Sequence, residues 1–183
     1  MTSPLYLYGR HVTLRPFTVD EAEPMVPAVM RWVTAGDSEA SVRDGLRERA
    51  ERSGTMTERG IDLGIEVGGK LVGDVQARSE GLPKGAYELG IGVFDEADRG
   101  KGYGGEAISL LTAHLFDAEE AHRVQLSTDV ANLAMRVAAE RAGFGFEGIL
   151  RGFWPEPDGP HDYAMFAVTR ADHERRTLPS PRA

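Results

Sequence analysis

Three segments between residues 61 and 94 show the period-two pattern of β-strands, and they constrain the fold more than any other feature. The first strand is predicted over Ile61–Val67, where apolar and polar residues alternate. Gly68–Gly69 is typical of a two-residue hairpin turn, so the chain is expected to return as a second strand over Lys70–Arg78. A third strand is predicted over Tyr87–Phe94. Consecutive strands with short connections pair antiparallel, so the three are expected to form a meander.

The segment RGKGYGGEA at residues 99–107, which follows the third strand, combines four glycines with two cations. Glycine leaves backbone N–H groups accessible, and an apolar stripe that starts at Ala107 predicts a helix with positive partial charge at its N-terminus. Arg99 and Lys101 add full positive charges beside it. Together these groups favour a site for a phosphate.

Gly100, Gly102 and Gly105 also match the spacing G-x-G-x-x-G of dinucleotide-binding folds. That fingerprint requires a parallel βαβ unit and an acidic residue about 20 positions further on, at the end of the second strand. Here an antiparallel meander precedes the glycines, and the acidic residues of segment 117–120 fall at a helix end. A nucleotide-dependent oxidoreductase therefore remains only an alternative. A Walker A loop is excluded, since Gly100-Lys101 lacks the upstream glycine and the following Ser or Thr.

Further elements are predicted on both sides of this central part. A strand at His11–Arg15 precedes a helix that starts with the capping-box spacing Thr18–Glu21. A second helix over about 38–52 is rich in Arg and Glu, which are expected to form a solvated face. Gly90 and Gly92, inside the third strand, suggest a bulge or the close approach of another backbone. The later elements are a strand at Arg123–Val130, a helix at Asn132–Ala142 that Gly143 stops, strands at Phe144–Leu150 and Tyr163–Val168, and a loop at Trp154–Pro160 between them.

Length and composition set further bounds. The 183 residues are expected to form one domain, with a frayed tail over about 174–183. A formal net charge of -8 argues against a general binder of nucleic acid or membrane surfaces. The chain has no cysteine, and its five histidines lack metal-ligand spacing, so no metal site is predicted. Neither a signal peptide nor an apolar run of membrane-spanning length is present, and a cytoplasmic location is expected.

The string YELGIGVFDEADRGKGYGGEAI at residues 87–108 resembles the central motif of the GNAT acyltransferases, the general N-acetyltransferases. Arg99, Gly102 and Gly104 match its core, R/Q-x-x-G-x-G/A. By this pattern Gly102 and Gly104 should not tolerate alanine, whereas Gly105 should.

More distant segments support the same resemblance. Asn132, together with ERAGF at 140–144, resembles the second half of the family's cofactor site. The opening GRHVTLRPFTVDEA and the closing HDYAMFAVTRADHE are similar to the branch that includes the ribosomal-protein N-terminal acetyltransferases. The resemblance covers essentially residues 9–173.

The resemblance implies an α/β (α+β) GNAT fold, with a mixed, mostly antiparallel twisted sheet of six to seven strands and helices on both faces. It also implies an acyl-CoA co-substrate, normally acetyl-CoA, and transfer of the acyl group to a primary amine. The acceptor would be a small molecule or a protein N-terminal amine, with no nucleic acid, membrane or metal involved. Family members are often dimers, and the sequence leaves a homodimer open.

The resemblance assigns cofactor contacts to two regions. Pantetheine lies in a gap between the strand that carries Gly90 to Phe94 and the strand Arg123–Val130. Asn132 contacts the pantetheine arm, although a helix N-cap is an alternative role, and Arg136 either reaches the 3′-phosphate or forms a surface ion pair. The backbone contributors are Val93 and Phe94 toward the pantetheine amides, and Arg99, Gly100, Lys101, Gly102, Tyr103 and Gly104 toward the pyrophosphate.

Catalytic residues follow less directly. Glu88 matches a position where many family members place the carboxylate that deprotonates the amine, and a solvent-facing strand residue is the alternative. Both usual proton donors are missing, since Met135 and Ala139 occupy their positions. Tyr163 and Tyr103 are the proposed substitutes, with His161, water or an unassisted thiolate as further options; Tyr103 could equally pack within its loop. A non-catalytic acyl-CoA-binding or sensing module therefore remains an alternative function.

Overall fold

Eight strands and six α-helices are present in the computed structural model, which describes residues 3–31, 37–156 and 158–177. Two 3-10 turns, at Glu23–Met25 and Glu96–Asp98, accompany them. The strands are β1 (Leu7–Tyr8), β2 (Thr13–Arg15), β3 (Gly60–Val67), β4 (Lys70–Arg78), β5 (Ala86–Val93), β6 (Arg123–Asp129), β7 (Gly145–Glu156) and β8 (Gly159–Thr169). The helices are α1 (Val19–Ala22), α2 (Val26–Val29), α3 (Glu39–Arg52), α4 (Tyr103–Asp117), α5 (Leu133–Ala142) and α6 (Arg170–Thr177).

All eight strands lie in one mixed sheet, in the order β1-β2-β3-β4-β5-β6-β8-β7. The predicted meander is confirmed, because β3, β4 and β5 pair antiparallel in sequence. Gly68 and Gly69 both have positive φ, 57° and 83°, as a type I′ hairpin turn requires. The predicted fold class is therefore confirmed; the short strand β1, which pairs with β2, brings the strand number to eight.

The pairing of β5 with β6 is parallel, and α4 connects the two strands. The glycine-rich segment thus opens the helix of a parallel βαβ unit. The expectation that this segment lies outside such a unit is wrong, because an antiparallel meander and a parallel crossover share strand β5. The meander alone therefore does not exclude a dinucleotide fold.

Helices cover both faces of the sheet, as predicted. On one face α4 packs its apolar stripe, including Ile108, Leu111 and Leu115, against buried residues of the strands. On the other face Phe17 and Leu46 belong to a second, smaller cluster built from α1, α2 and α3. The apolar face fixes the position of α4 and hence of the glycine-rich segment at its N-terminus.

Two local predictions need correction. The loop expected at Trp154–Pro160 is a hairpin, in which Pro155 pairs with Pro160 and Glu156 with Gly159. Strand β7 lies at the sheet edge, where a proline without an N–H group is tolerated. No bulge is present around Gly90, because the register from Gly73↔Val93 to Arg78↔Glu88 is unbroken.

A close backbone approach does occur near the strand glycines. A Cβ atom added to Gly73 would lie 2.3 Å from the carbonyl oxygen of Gly92. At the end of the chain, α6 extends to Thr177, and residues 178–183 of the expected tail lie outside the described residues, as does Pro157. None of the helices in the described ranges is long and apolar enough to cross a membrane.

The predicted solvated face of α3 is wrong for two residues, Arg49 and Arg52. The Arg49 guanidinium lies under the sheet, with Nε 2.6 Å from Asp62 and Nη2 2.5 Å from Asp74. Arg52 reaches the same buried Asp62 at 2.9 Å. Complete burial raises the pKa of Asp74, and the Arg49 charge acts against that rise. Arg43, in contrast, pairs with Glu23 and Glu39 at the surface as expected.

Candidate functional site

Strands β5 and β6 separate after three paired positions. The parallel ladder joins Ala86 to Arg123, Tyr87 to Val124 and Glu88 to Gln125, and it ends there. Beyond this point the rest of β5 keeps its partner β4, while β6 keeps its partner β8. A gap therefore opens in the middle of the sheet, between the carboxyl-terminal parts of two neighbouring strands.

The backbone direction of β5 shows which of its groups face this gap. The amide of Phe94 donates to the carbonyl of Val72 on β4 at 2.9 Å, so even-numbered residues of β5 turn their N–H and C=O groups toward β4. The amide of His122 donates to Gly85 on the opposite side at 2.8 Å, in agreement with this alternation. The backbone groups that face the gap beyond the last rung of the ladder belong to Ile91 and Val93.

The glycine-rich segment lies at the open end of the gap. Gly100 and Gly102 have φ values of 73° and 88°, which favour glycine, and Gly102 is the N-cap of α4. The first helical hydrogen bond runs from the amide of Glu106 to the Gly102 carbonyl. The N–H groups of residues 103–105 therefore have no intrahelical acceptor and form an anion-binding helix N-terminus.

Alanine could be built at two glycines of this helix start without a clash. A Cβ on Gly104 would meet Ile91 Cδ1 at 3.5 Å, and one on Gly105 would meet the Cβ of Ala138 at 3.7 Å. Both are ordinary contacts, so the folded chain itself does not explain why Gly104 should be required. Only a ligand at the β5 side of the helix would distinguish Gly104 from Gly105.

The cations of the segment are held in different ways. Lys101 pairs with Asp98 at 3.2 Å, and Lys70 joins the same carboxylate at 3.0 Å. Hydrogen bonds from Lys70 and Lys101 lower the pKa of Asp98. Arg99 instead donates from Nε to the carbonyl of Val93 at 3.2 Å, at the mouth of the gap. The neighbouring carbonyl of Phe94 accepts from Arg31 at 2.5 Å.

Asn132 and Arg136 hold the opposite side of the gap, where β6 passes into α5. The Asn132 side chain accepts from the amide of Met135 at 3.1 Å, so it has the N-cap role that the sequence left open. Arg136 donates to the carbonyl of Val130 at 3.0 Å, while its Nε is buried and has no partner among the described residues. The surface ion pair that the sequence left open for Arg136 is thus not formed among the described residues.

Glu88 lies at the last paired position before the gap. Its carboxylate accepts from Gln125 at 3.1 Å and from Arg78 at 3.2 Å, and its side chain is 25% exposed. The Glu88 side chain is therefore only partly solvent-facing. The carboxylate is within reach of water and held from two sides.

The two tyrosines differ in their surroundings. Tyr103 packs partly against the larger core cluster, and the Lys101 ammonium lies 5.9 Å from its ring centroid. Tyr163 lies opposite Asp129 on β6, and its hydroxyl is 3.5 Å from a Glu156 oxygen. Burial and the charges of Glu156 and Asp129 raise the pKa of Tyr163, so the phenol stays protonated at neutral pH.

His161 connects the β7–β8 hairpin to the end of β6. Its Nδ1 lies 2.6 Å from Asp129, and its Nε2 lies 2.9 Å from Asp158. The bond with Asp129 contributes most to the raised pKa of His161. The pKa of Asp129 is lowered, mainly by the amide of Ala131 and then by His161. In the described part of the chain, no group of three or more His, Cys, Asp or Glu side chains is arranged to hold a metal ion.

Comparison with known proteins agrees with this geometry. A family model described as the acetyltransferase (GNAT) domain matches residues 11–145. Probable N-acetyltransferase YjcK of Bacillus subtilis (strain 168) is 33% identical over an alignment 193 positions long, which covers 92% of this chain and 99% of that protein. The chain therefore belongs to the GNAT acetyltransferase family, as the sequence motifs predict.

Solved structures show the same fold. RimJ of Mycobacterium smegmatis, in complex with CoA-disulfide, superimposes with a TM-score of 0.73 at 21% identity, over 97% of this chain and 88% of that one. The microcin C7 self-immunity acetyltransferase MccE, in complex with acetyl-CoA and AMP, gives a TM-score of 0.73 at 18% identity, over 88% and 93% of the two chains. With the family established, the glycine spacing no longer supports an oxidoreductase.

The structure brings most of the predicted site residues to the edges of one gap. Glu88 and Val93 lie along β5, Arg99 to Gly104 lie at its open end, and Asn132 and Arg136 lie beyond β6. Sequence reasoning missed Gln125, which is paired directly with Glu88. The signal was present in the polar residues of alternate positions in β6, but it did not show which neighbour they face.

Proposed function

We propose that the protein transfers an acetyl group from acetyl-CoA, or another acyl group from its CoA thioester, to a primary amine that attacks the thioester directly. The observation that carries this proposal is the gap between β5 and β6. Unpaired backbone groups inside a sheet are costly, and a ligand with amide groups can satisfy them. Pantetheine is such a ligand, since it is a narrow chain with two amides.

The residues around the gap fit the rest of CoA. The free N–H groups of residues 103–105, with Gly100, Gly102 and the cations Arg99 and Lys101, would hold the pyrophosphate. Arg99 is close enough to the gap to be shared between phosphate and the Val93 carbonyl. The Nδ2 group of Asn132, whose oxygen caps α5, is available to the pantetheine arm, and Arg136 would act through its hold on the β6–α5 connection.

Glu88 is the residue we assign as general base. An amine is protonated at neutral pH and must lose a proton before it can attack a thioester carbonyl. The Glu88 carboxylate lies on β5 at the closed end of the gap, and its partial exposure leaves room for a water that relays the proton. Backbone N–H groups of β5 that face the gap would polarise the thioester carbonyl.

Tyr163 is the proton donor we assign for the leaving thiolate, in preference to Tyr103. The pKa of Tyr163 is raised, so its phenol holds the proton that a donor needs. Tyr103 is engaged by the core and by the Lys101 ammonium. Either a small-molecule amine or a protein N-terminal amine fits the acidic surroundings of Tyr163, which include Asp129 and Glu156.

A second function, binding of acyl-CoA without catalysis, is favoured by one observation. Ala139 is completely buried and Met135 packs against the core, so α5 provides no proton donor at either usual position. A sensing module would need the CoA contacts and none of the acid–base groups.

Calorimetry with acetyl-CoA and CoA, followed by a screen of amines that measures free CoA, tests both functions. Acetyl-CoA and succinyl-CoA should be compared as donors. Saturable CoA binding with turnover of at least one amine is the expected result. An absence of CoA binding contradicts the proposal, whereas tight binding without turnover across the panel supports the sensing module.

A further inference from the structure

A continuous row of polar side chains crosses the sheet at the point where β5 and β6 begin to separate. Glu147 on β7 forms a two-point ion pair with Arg123 on β6, at 2.9 and 2.5 Å. Arg123 also donates from Nε to the Oε1 atom of Gln125 at 2.8 Å. Gln125 donates from Nε2 to Glu88 at 3.1 Å, and Arg78 on β4 reaches the other Glu88 oxygen at 3.2 Å. The row thus links side chains of four strands, and the assigned base Glu88 lies in it between Gln125 and Arg78.

The orientation of the Gln125 amide is determined by its neighbours. A guanidinium only donates hydrogen bonds, so Arg123 selects the oxygen of the amide. The NH₂ group must then point to the other side, where a carboxylate can accept from it. Arg123 is itself held by Glu147, which raises the pKa of Arg123 chiefly through their hydrogen bond. The donor that reaches Glu88 is therefore fixed before any substrate binds.

We propose that Gln125 is a positioning residue, which holds the Glu88 carboxylate in a fixed orientation at the closed end of the gap. This inference rests on the proposed function, because it assumes that Glu88 is the base. Gln125 is directly opposite Glu88 in the last rung of the parallel ladder, so its side chain and the base move together with the closed end of the gap.

The charges around Glu88 come from three strands. Arg78 on β4 is in direct contact, Arg123 on β6 acts through the Gln125 amide, and Glu147 on β7 lies beyond Arg123. Arg78 also lines a cavity of about 260 Å³ between α3 and the sheet, to which Arg59 and Glu80 contribute. Hydrogen bonds from Gln125 and Arg78 hold the Glu88 carboxylate from two sides, and the loss of one of them should leave the side chain free to rotate.

Two substitutions of similar size separate position from charge. Gln125→Met keeps the volume and removes the donor, so kcat should fall about tenfold while the KM for acetyl-CoA changes by less than about twofold. Gln125→Glu places a second carboxylate beside Glu88, and repulsion between the two should turn the Glu88 side chain away and lower kcat further than Gln125→Met does. Gln76→Met is the matched control, because Gln76 lies on the same sheet face over Gly90 and makes no hydrogen bond to Glu88.

Release of free CoA gives kcat and KM for each variant, and thermal unfolding is the check on folding. A lowered kcat at nearly constant KM in both Gln125 variants, with neither change in Gln76→Met, supports the inference. An unchanged kcat in both Gln125 variants overturns it, even if Glu88→Gln is inactive and the proposed base stands. An active Glu88→Gln variant instead removes the proposed base, and the role of Gln125 falls with it.

Discussion

Two parts of the same strand, β5, differ in whether they pair with β6. Residues 86–88 pair with β6, and Glu88 pairs with β4 as well, whereas residues 89–93 pair with β4 alone. A buried backbone group without a partner costs about 1–3 kcal/mol, so an unpaired strand side inside a sheet is expensive to maintain. The paired part holds the sheet together, and the unpaired part provides the surface on which we place the cofactor.

The two parts also differ in what supports them from outside. The base Glu88 is held by side chains of β4 and β6 at the end of the paired part. The unpaired part is bordered by a helix N-terminus and is backed by β4, whose Asp74 lies opposite Gly92 and is paired with Arg49. Substitutions at these supports should therefore have separable effects on chemistry, stability and cofactor affinity.

Glu88→Gln should have the largest effect. Loss of the general base is expected to lower kcat/KM by about 10²–10⁴-fold, while the acetyl-CoA affinity measured by calorimetry should change by less than about twofold. Glu80→Gln, at an exposed glutamate just beyond β4, is the matched control and should keep normal kinetics. Retention of kcat/KM within about threefold in Glu88→Gln would remove the base from the mechanism.

Arg49→Met should act on stability. It leaves Asp74 buried without a cation, and removal of one partner from a buried pair costs about 3–5 kcal/mol in the free energy of unfolding. Chemical denaturation measures the loss. Arg43→Met, on the solvent side of the same helix, should change the denaturation midpoint only slightly. Equal losses of unfolding free energy in the two variants would mean that the buried contacts of Arg49 stabilise the fold no more than a surface ion pair does.

Gly104→Ala and Gly105→Ala should separate cofactor binding from folding. Both sites are helical with room for a methyl group, so each variant should be as stable as the parent or up to about 1 kcal/mol more stable. Only Gly104 faces β5, and there the methyl should raise the Kd for acetyl-CoA about tenfold or more through a blocked contact. Equal affinities of the two variants in calorimetry would place the cofactor elsewhere.

Glu106→Gln should have a small, pH-dependent effect on stability. Burial alone would raise the pKa of Glu106, but hydrogen bonds from His11 and Val12 outweigh it, and the pKa is lowered below the usual 4.5. A lowered folded-state pKa stabilises the protein above pH 4.5, and this contribution is lost as the pH falls through the folded-state value.

The variant should accordingly be about 1 kcal/mol less stable than the parent at pH 7, with the difference shrinking toward pH 3. Unfolding free energies measured across this pH range check the sign. Glu96→Gln, at an exposed position before the glycine-rich segment, should show no such trend. A difference that grows on acidification would contradict the assignment.

Features that depend on neighbouring residues could be predicted from the sequence. The Gly68–Gly69 turn, the Thr18 capping box and the αL residue Gly143 at the end of α5 follow local rules, and all three are confirmed. The position of the glycine-rich segment before a helix is confirmed for the same reason.

What the sequence did not reveal depends on contacts across the sheet. The Pro-rich hairpin was missed because the prolines lie where β7 is an edge strand, a property of the whole sheet. Arg49 looks like any other charge on α3 until Asp62 and Asp74 are placed beneath it. Gln125 meets Glu88 only through the parallel pairing of strands 37 positions apart.

Residue-resolved amide hydrogen exchange, with and without acetyl-CoA, tests the central claim most directly. In the free protein, the amides of Ile91 and Val93 should exchange faster than that of Tyr87, which faces the paired part of β6. Acetyl-CoA should slow exchange at Ile91 and Val93 and leave Tyr87 almost unchanged. Slow exchange at all three amides in the free protein, or no protection of Ile91 and Val93 by saturating acetyl-CoA, would contradict the account.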